Sequence, residues 1–179
     1  MTKYYCIGGG KLSKEPVVKA YSEQYQTGVL DLILHIQQTE YNIPITKEDQ
    51  PDLMMIETFY QRGKGNFWVA RVEDKVVGTI ALLDIGNSQV ALRKMFVAKD
   101  YRGSGFNTAA RLLQNALDWA KERTVKEVFL GTTPQFLAAH RFYEKNSFTS
   151  IEMSELPKAF PLMEVDKKFY KYLVEKQAI

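Results

Sequence analysis

Apolar residues recur along the chain at two different spacings, and the alternation of these spacings predicts the order of strands and helices. Alternating or uninterrupted apolar runs predict strands, whereas apolar residues three or four positions apart predict amphipathic helices. The predicted order is a strand, two helices, three antiparallel strands, a helix, a strand, a helix and two strands. The predicted strands cover residues 17–21 (a core strand), 66–72, 76–83, 90–97, 127–130, 148–153 and 167–173.

The predicted helices are bounded by residues that commonly begin or end a helix. The first covers 25–40 and the third begins at Phe106. Proline is favoured at the first helical position, so the second helix should begin at Pro51 and the fourth at Pro134, after Thr133 as its cap. Their predicted inward-facing residues include Val29, Leu30, Ile33 and Ile36 in the first, Leu53, Ile56 and Tyr60 in the second, and Phe106, Ala109, Ala110, Leu113, Ala116, Leu117 and Ala120 in the third.

The first 16 residues precede this regular pattern, and they contain the run Gly8-Gly9-Gly10-Lys11. A phosphate-binding loop is one interpretation of the run, but the strand before it is short and no helical pattern follows. We therefore interpret residues 1–16 as a flexible N-terminal extension. Residues 17–179 are predicted to form one domain, because no repeat, low-complexity tract or linker interrupts them.

Composition and charge narrow the classes of function. Of the 179 residues 45% are apolar and 25% are charged, and the net charge of +3 is too small to indicate nucleic-acid binding. Cys6 is the only cysteine, so neither an intrachain disulfide nor a cysteine-based metal site is expected. No apolar run approaches the ~18 residues of a membrane span, and no signal peptide is recognisable. We therefore expect a soluble cytoplasmic protein that binds no metal.

The candidate chemistry lies where the strand at 90–97 leads through a glycine turn into the third helix. Arg102, Gly103, Ser104 and Gly105 form a cationic turn directly before Phe106. Glycines allow a ligand to approach the backbone, and the unpaired N–H groups and dipole of a helix N-terminus favour an anion. The sequence therefore predicts a phosphate-carrying ligand at this turn.

Three phosphate-binding motifs compete for the turn. A nucleotide-triphosphate loop requires Lys-Ser/Thr where Phe106-Asn107 follow, and a dinucleotide fingerprint requires a third glycine where Thr108 stands. The remaining pattern, Arg/Gln-x-x-Gly-x-Gly/Ala, is met by Arg102 and Gly105 and imperfectly by Asn107. With the strand residues 95–97 before it, the turn closely resembles the acyl-CoA-binding segment of the GNAT superfamily of N-acetyltransferases.

A second segment resembles the same family. Residues 139–148 read Ala-His-Arg-Phe-Tyr-Glu-Lys-Asn-Ser-Phe, similar to the family pattern Ala-x-x-Leu/Phe-Tyr-Glu-Lys-x-Gly-Phe, with Ser147 in place of glycine. Because both segments occur in order, separated by a helix and a strand, the chain is identified as a member of this superfamily. The resemblance implies a mixed α/β fold with a central, mostly antiparallel sheet that is splayed at the cofactor site and has helices on both faces.

The resemblance also implies a site for acetyl-CoA as co-substrate. The strand at 95–97 and its neighbour at 128–130 are expected to splay apart, and pantetheine would pair with the freed backbone groups. The main-chain N–H groups from Arg102 to Thr108, with the Arg102 charge and the Thr108 hydroxyl, would receive the pyrophosphate. The implied cofactor-binding residues are Met95, Phe96, Val97, Arg102, Gly103, Ser104, Gly105, Phe106, Asn107, Thr108, Ala139 and Tyr143.

The activity implied is transfer of an acetyl group to a primary amine of a small molecule or peptide, by direct attack in a ternary complex. Tyr143 would stabilise or protonate the leaving thiolate, and its other interpretation is a tyrosine packed against the cofactor. The alternatives for the whole chain are a transferase of another acyl group and a non-catalytic acyl-CoA-binding regulator. The acceptor cannot be read from the sequence, because the first two helices, the loop holding Pro157 and Pro161 and the neighbouring strands, which build its pocket in the family, carry no motif. The loop either walls that pocket or covers a homodimer interface.

Four features depart from the family pattern. Asn107 either points away from the phosphates or crowds them, Lys99 replaces a proline, and Phe136 replaces an asparagine and would be an apolar wall. The strand at 90–97 lacks the glutamate that many relatives use as general base. Glu57, Asp84, His140 or a backbone carbonyl with water are the candidates, and no base is assigned from the sequence.

Overall fold

The structure, a computed structural model, describes residues 4–7 and 11–175. Its strands agree closely with the alternating apolar runs of the sequence. They are β1 (Tyr4–Ile7), β2 (Lys11–Lys14), β3 (Val17–Ala20), β4 (Asn66–Val72), β5 (Lys75–Gly86), β6 (Gln89–Val97), β7 (Glu127–Thr132), β8 (Thr149–Ile151) and β9 (Lys168–Leu173).

Four α-helices connect these strands: α1 (Gln26–Leu34), α2 (Ile56–Phe59), α3 (Thr108–Glu122) and α4 (Leu137–Lys145). Helix α1 is preceded by a 3₁₀ turn, Glu23–Tyr25, and continues as a π-helix, His35–Glu40, so the helical segment ends as predicted at residue 40. A 3₁₀ turn, Pro51–Met54, precedes α2, and further 3₁₀ turns lie at Lys99–Tyr101 and Met153–Glu155.

The strands from β3 onward form one seven-stranded sheet in the order β3-β4-β5-β6-β7-β9-β8, and β1 pairs only with β2. Every neighbouring pair in the large sheet is antiparallel except β6 and β7. The mostly antiparallel sheet that the sequence predicts is therefore confirmed.

Alternating residues of β4 show how the helices cover both faces. Phe67 and Val69 pack in one cluster with α1 and the 51–60 segment, whereas Trp68 and Ala70 pack in another with α3 and α4. This alternation is what a strand buried on both faces requires. A smaller cluster around Phe160 extends the α1 face, where residues between β8 and β9 cover it.

The splay between β6 and β7 is present, and it has a visible cause. Their parallel pairing stops after three residue pairs, at Ala91 opposite Phe129. Directly beyond, β6 carries one extra residue relative to β5, and Lys94 takes a left-handed φ of 53°. A bulge bends its strand, so β6 leaves β7 and a wedge opens between them. The hydroxyl of Thr79 donates to the Lys94 carbonyl at 2.7 Å and fixes the bulge.

Several local predictions were wrong. Strand β3 is an edge strand and not a core strand, with Val17 53% exposed, because it has a neighbour on one side only. The predicted second helix is divided at Met55, whose φ of −141° is not helical. In α3, Leu112 is buried and Ala110 is exposed.

The start of α4 was also predicted wrongly. Strand β7 extends to Thr132, so the chain needs a turn to leave the sheet before a helix can form. That turn, closed by Phe136 N–H donating to the Thr133 carbonyl at 3.3 Å, includes Pro134. The helix therefore begins at Leu137, and Thr133 does not cap it.

The predicted N-terminal extension is described only in part. Strands β1 and β2 fall within residues 1–16, and the glycine run 8–10, with its phosphate-loop interpretation, lies outside the described residues. The flexible extension and the domain boundary at residue 17 stay predictions. Among the described residues, no helix is long and apolar enough to cross a membrane, and no three His, Cys, Asp or Glu side chains are grouped to hold a metal.

Candidate active site

A cleft of about 270 Å³ lies where β6 has separated from β7 and the N-terminal end of α4 approaches it. Five of the predicted cofactor residues line it: Met95, Phe96, Val97, Arg102 and Ala139. The cleft is also lined by Ile36, Tyr41 and residues 135–138, which were not predicted as cofactor-binding residues. Of these, only Phe136 was predicted as an apolar wall, and its ring packs against that of Tyr41 with centroids 4.7 Å apart.

The turn from Arg102 to Thr108 continues from Arg102, which lines this cleft, and contains two residues with a left-handed backbone. Gly103 has a φ of 86°, and Asn107 has φ 52° and ψ 33°. Asparagine tolerates the left-handed region better than most residues with a side chain. Asn107 therefore accommodates a left-handed backbone at the place where the family pattern has glycine or alanine.

The turn presents backbone donors to open space. The N–H groups of Gly103, Ser104, Gly105 and Thr108 have no hydrogen-bond acceptor in the described part of the chain. A Cβ added at Gly103 or Gly105 would meet no atom within 4 Å. Free N–H groups around an open concavity at a helix N-terminus fit an anion such as a pyrophosphate.

The Thr108 hydroxyl was expected to be a further donor to the pyrophosphate. It is buried, with the residue 1% exposed, and it has no hydrogen-bond partner among the described residues. A buried polar atom without a partner destabilises a fold. This cost, at the first residue of α3, marks the position as one where a polar ligand would complete the hydrogen bonding.

Arg102 is held in place by two contacts. Its Nε donates to the Val97 carbonyl at 2.7 Å, and its guanidinium pairs with Glu40 at 2.8 Å. The first contact ties the turn to the end of β6. Because of the ion pair with Glu40, a phosphate group would share the Arg102 guanidinium with that carboxylate. Glu40 was not predicted as part of the site, because it belongs to the π-helix, which is distant in sequence.

Tyr143 lies on α4, in the buried cluster that also contains Leu92 of β6 and Leu130 of β7. Its residue is 6% exposed, and its ring packs against Phe148 and Tyr170. The hydroxyl makes no hydrogen bond to any residue that the structure describes. Burial raises the pKa of the phenol above its usual range, and the nearby Asp166 carboxylate raises that pKa further. The group therefore stays protonated at neutral pH and has a proton to donate.

Lys94, at the bulge of β6, belongs to a buried polar network with Gln50, Asp52 and Tyr60. Its ammonium lies 3.2 Å from Asp52 and 2.9 Å from the Gln50 amide oxygen, and the Tyr60 hydroxyl donates to Asp52 at 2.5 Å. Burial lowers the pKa of Lys94, and Asp52 opposes that effect. The network fastens the segment before α2 to the bulged strand, so it is a structural support for the wedge.

The three side chains considered as general bases all have other environments. Glu57 is exposed on α2. The Asp84 carboxylate accepts the backbone N–H groups of Lys64 at 2.8 Å and Gly86 at 2.9 Å, which fixes a turn. His140 is buried, with Nε2 2.9 Å from the Thr133 carbonyl. Glu57 is therefore solvated, while Asp84 and His140 are engaged in contacts within the chain.

A carboxylate that sequence reasoning missed does reach the wedge. Asp166 precedes β9, and its Oδ2 lies 2.6 Å from the position that a Cβ would occupy on Gly131 of β7. Burial raises the pKa of this carboxyl to about 6, and Arg93 of β6 is close enough to oppose the rise. No motif surrounds Asp166 in the sequence, so no local signal pointed to it.

A second cleft, of about 430 Å³, lies on the α1 face near Phe59, Arg62 and Leu83. It is the larger of the two, but Asp84, the carboxylate that lines it, is already fully engaged with backbone donors. The smaller cleft, which Arg102 lines at the start of the turn with free N–H groups, is therefore the candidate site.

Comparison with known sequences gives a consistent result. The family model described as "Acetyltransferase (GNAT) family" matches residues 30–148. N-acetylaspartate synthetase of Xenopus tropicalis is 38% identical over 108 residues, which are 58% of this chain and 38% of that protein. Streptothricin acetyltransferase A of Bacillus subtilis is 32% identical over 108 residues, 60% of this chain and 61% of that protein. The matches thus span less than two thirds of these relatives.

Solved structures match nearly the whole fold. An acetyltransferase of the GNAT family from Staphylococcus aureus Mu50 is 37% identical with a TM-score of 0.84, and the match covers 89% of this chain and 99% of that one. The PaiA N-acetyltransferase of Thermoplasma acidophilum, solved in complex with coenzyme A, is 15% identical with a TM-score of 0.67, covering 89% and 99%. The second likeness concerns the fold alone.

Proposed function

The chain belongs to the acetyltransferase (GNAT) family, and from this premise we propose that it transfers an acetyl group from acetyl-CoA to a primary amine of a small molecule or peptide. The observation that carries the proposal is the wedge between β6 and β7. Arg102, at the start of a turn with free N–H groups, lines the cleft there, and the buried, protonated Tyr143 packs in a cluster with residues of both strands.

The described residues suit the parts of acetyl-CoA in order. The free N–H groups of Gly103, Ser104, Gly105 and Thr108 and the Arg102 guanidinium provide positive charge for the pyrophosphate. The edge of β6 from Leu92 to Val97, which has no strand partner on the β7 side, offers backbone groups to the pantetheine amides. The apolar side chains of Phe136 and Ala139 then enclose the pantetheine arm.

Chemistry in the wedge needs three events. The amine nitrogen attacks the thioester carbonyl carbon, a proton leaves the nitrogen, and the departing sulfur gains a proton as the carbon–sulfur bond breaks. Tyr143 suits the last event, because its raised pKa keeps the proton available and its hydroxyl has no competing partner among the described residues. Direct attack in a ternary complex requires no covalent enzyme intermediate.

A small-molecule acceptor is favoured over a peptide by the names of the relatives, which include N-acetylaspartate synthetase and Streptothricin acetyltransferase A. Since the chain spans only part of these proteins, neither acceptor is carried over. The cytoplasmic location and the homodimer stay predictions.

The test is release of the coenzyme A thiol from acetyl-CoA in the presence of a panel of primary amines, with binding of coenzyme A measured separately by calorimetry. Thiol release that depends on an amine supports the proposal, and an acetylated product identified by mass completes it. Binding of coenzyme A without turnover of any amine would instead identify a non-catalytic regulator. Turnover only with a longer acyl-CoA would identify a transferase of another acyl group.

A further inference from the structure

Arg93 and Asp166 lie on the same face of the sheet where the wedge opens. Ala91 and Phe129 are the last residues that pair between β6 and β7. Arg93 lies two residues beyond Ala91 on β6, and Gly131 lies two residues beyond Phe129 on β7. Residues two apart on a strand point to the same face. The Asp166 carboxylate covers Gly131, which has no side chain to occupy that space. The two charged residues therefore stand on the two sides of the opening.

One turn of the chain links the two residues. The Arg93 guanidinium donates to Met163 Sδ at 3.9 Å, and the Asp166 backbone N–H donates to the Met163 carbonyl at 3.1 Å. Their neighbour Phe160 is buried in the cluster that includes Ala91, Phe129 and Phe169. The turn is thus anchored by apolar packing, and it holds Asp166 near Arg93.

Both charges lack the partner that burial normally demands. Arg93 is half-buried and takes part in none of the ion pairs of the described residues, and its one hydrogen bond is to a thioether. The half-buried Asp166 carboxylate accepts no hydrogen bond within the described chain. Leaving two such charges without ion-pair partners is costly, in contrast to Lys94, whose buried ammonium is paired with Asp52.

We propose that Arg93 and Asp166 form the acceptor subsite, in which Arg93 binds a carboxylate of the acceptor and Asp166 accepts the proton of its ammonium group. The acceptor class is then an amino acid or another compact amine whose carboxylate lies a few bonds from the nitrogen. This inference rests on the proposed acetyl transfer and adds the substrate class and the base to it.

The protons balance. An ammonium group must lose two protons to become an amide nitrogen. Asp166 takes the first and passes it to water, which leaves the nitrogen lone pair to attack the thioester carbon. The second passes from the nitrogen to water as the carbon–sulfur bond breaks. Tyr143 gives its proton to the sulfur and regains one from solvent, so the net result is one proton on the sulfur and one in solvent.

The surroundings of Asp166 suit a base that works near neutral pH. The charged or titratable groups that act on it are Arg93 from β6, Lys167 next to it in the chain and Tyr143 from α4. Burial outweighs the two cations, so its pKa of about 6 lies above that of an exposed aspartate. At pH 7 the carboxylate is ionised and ready to accept a proton.

The test of the carboxylate subsite compares L-amino acids with their carboxamides, which keep the amine and lose the charge. In the natural protein kcat/KM should be ~10- to 100-fold higher for the preferred acid than for its amide, the range for a hydrogen bond between charged groups. Arg93→Gln should remove this preference, and Arg93→Lys should restore part of it. Arg62→Gln, which changes an exposed arginine at the other cleft, should leave it intact.

Equal use of acid and amide by the natural protein would overturn the subsite, as would an equal loss for both in Arg93→Gln. Calorimetric binding of the amino acid to the protein saturated with coenzyme A separates this inference from the proposed function. Binding that Arg93→Gln weakens ~10-fold or more supports the subsite even without turnover. If amines are acetylated but no amino acid binds, acetyl transfer stands and the subsite is wrong.

A pH–rate profile tests the role of Asp166. Below its pKa the carboxyl is protonated, so kcat/KM should fall about tenfold per pH unit below ~6 and reach a plateau above it. Asp166→Asn should remove this acidic limb and lower the plateau ~10²-fold, within the range for acid–base assistance. Glu164→Gln, two residues away and exposed, should change neither.

Arg93 adds a second readout to the profile. Because Arg93 holds the pKa of Asp166 down, Arg93→Gln should move the acidic limb to higher pH. A limb that is unchanged in Asp166→Asn would show that another group titrates, and Asp166 would then not be the base.

Discussion

At the scale of single residues, the phosphate turn depends on backbone conformation more than on side chains. Gly103 and Asn107 both adopt left-handed φ values, and their side chains are exposed or absent. Gly105 has no positive φ, so its role is different: it leaves free the space through which a ligand would approach. A substitution of Gly105 therefore tests ligand access to the turn without straining the backbone.

Gly105→Val should leave the fold intact and abolish coenzyme A binding. The added Cβ meets no protein atom within 4 Å, so the free energy of unfolding without ligand should change by no more than ~0.5 kcal/mol. Affinity measured by calorimetry should fall at least ~10-fold, because the branched side chain blocks the charged hydrogen bonds of the turn. Ser150→Val is the control, since that position is exposed on β8 and is not among the residues of the turn. Normal binding by Gly105→Val would mean that the anion site lies elsewhere.

Tyr143→Phe removes one hydroxyl that has no hydrogen-bond partner in the described structure. Stability should therefore be unchanged within ~0.5 kcal/mol or slightly increased. If the phenol protonates the departing sulfur, kcat should fall ~10²-fold or more while the Kd of coenzyme A stays the same. The measurements are steady-state kinetics and calorimetry on one preparation. Unchanged turnover would return Tyr143 to a packing role.

At the scale of elements, the wedge is a consequence of the bulge in β6. The extra residue turns the strand away from β7, and the left-handed Lys94 is held by Asp52, which approaches from the segment before α2. Left-handed backbone is unfavourable for a residue with a long side chain. A buried ion pair therefore stabilises the conformation that opens the site.

Lys94→Met should destabilise the protein by ~3–5 kcal/mol, because it leaves the Asp52 carboxylate buried without its cation. Urea unfolding measures this loss. Combining it with Asp52→Asn should recover much of the stability, since the uncompensated charge is then removed. Lys47→Met is the control: the Lys47–Glu48 pair is exposed, so at most ~1 kcal/mol is expected. A loss of that small size in Lys94→Met would contradict a supporting role for the buried pair.

At the scale of the whole molecule, the site joins elements that are far apart in sequence. The cleft takes residues from the π-helix after α1, from β6 and from α4, while the acceptor side adds the segment before β9. A ligand that contacts all of these elements stabilises the folded state as a unit.

Coenzyme A at ~100 times its Kd should stabilise the fold by about 2.7 kcal/mol. For a chain of this size that corresponds to a rise in Tm of roughly 5–10 °C, which a thermal melt followed by circular dichroism will detect. Pantetheine, which lacks the pyrophosphate, should give a smaller rise at the same concentration. No rise with millimolar coenzyme A would count against the cofactor site as a whole.

The amino-acid sequence by itself determined the order of strands and helices, the glycine turn and the family. These features are local: apolar spacing separates strands from helices, and a glycine or asparagine marks a left-handed residue within its own turn. Residues 95–97, Arg102 and Ala139 line one cleft, whereas the cofactor-binding role of these residues, of the 103–108 turn and of Tyr143 stays a prediction.

Only the tertiary structure decided what opens the wedge and what faces the acceptor. The bulge at Lys94, its pairing with Asp52, and the approach of Asp166 to Gly131 and Arg93 join residues that are distant along the chain. Such contacts leave no periodicity or motif, because the path of the connecting segments determines them. Glu57, Asp84 and His140 have suitable chemistry for a base, but in the fold Glu57 is exposed and the other two are engaged in contacts within the chain. The carboxylate without a hydrogen-bond donor among the described residues is that of Asp166, in a loop that has no motif in the sequence.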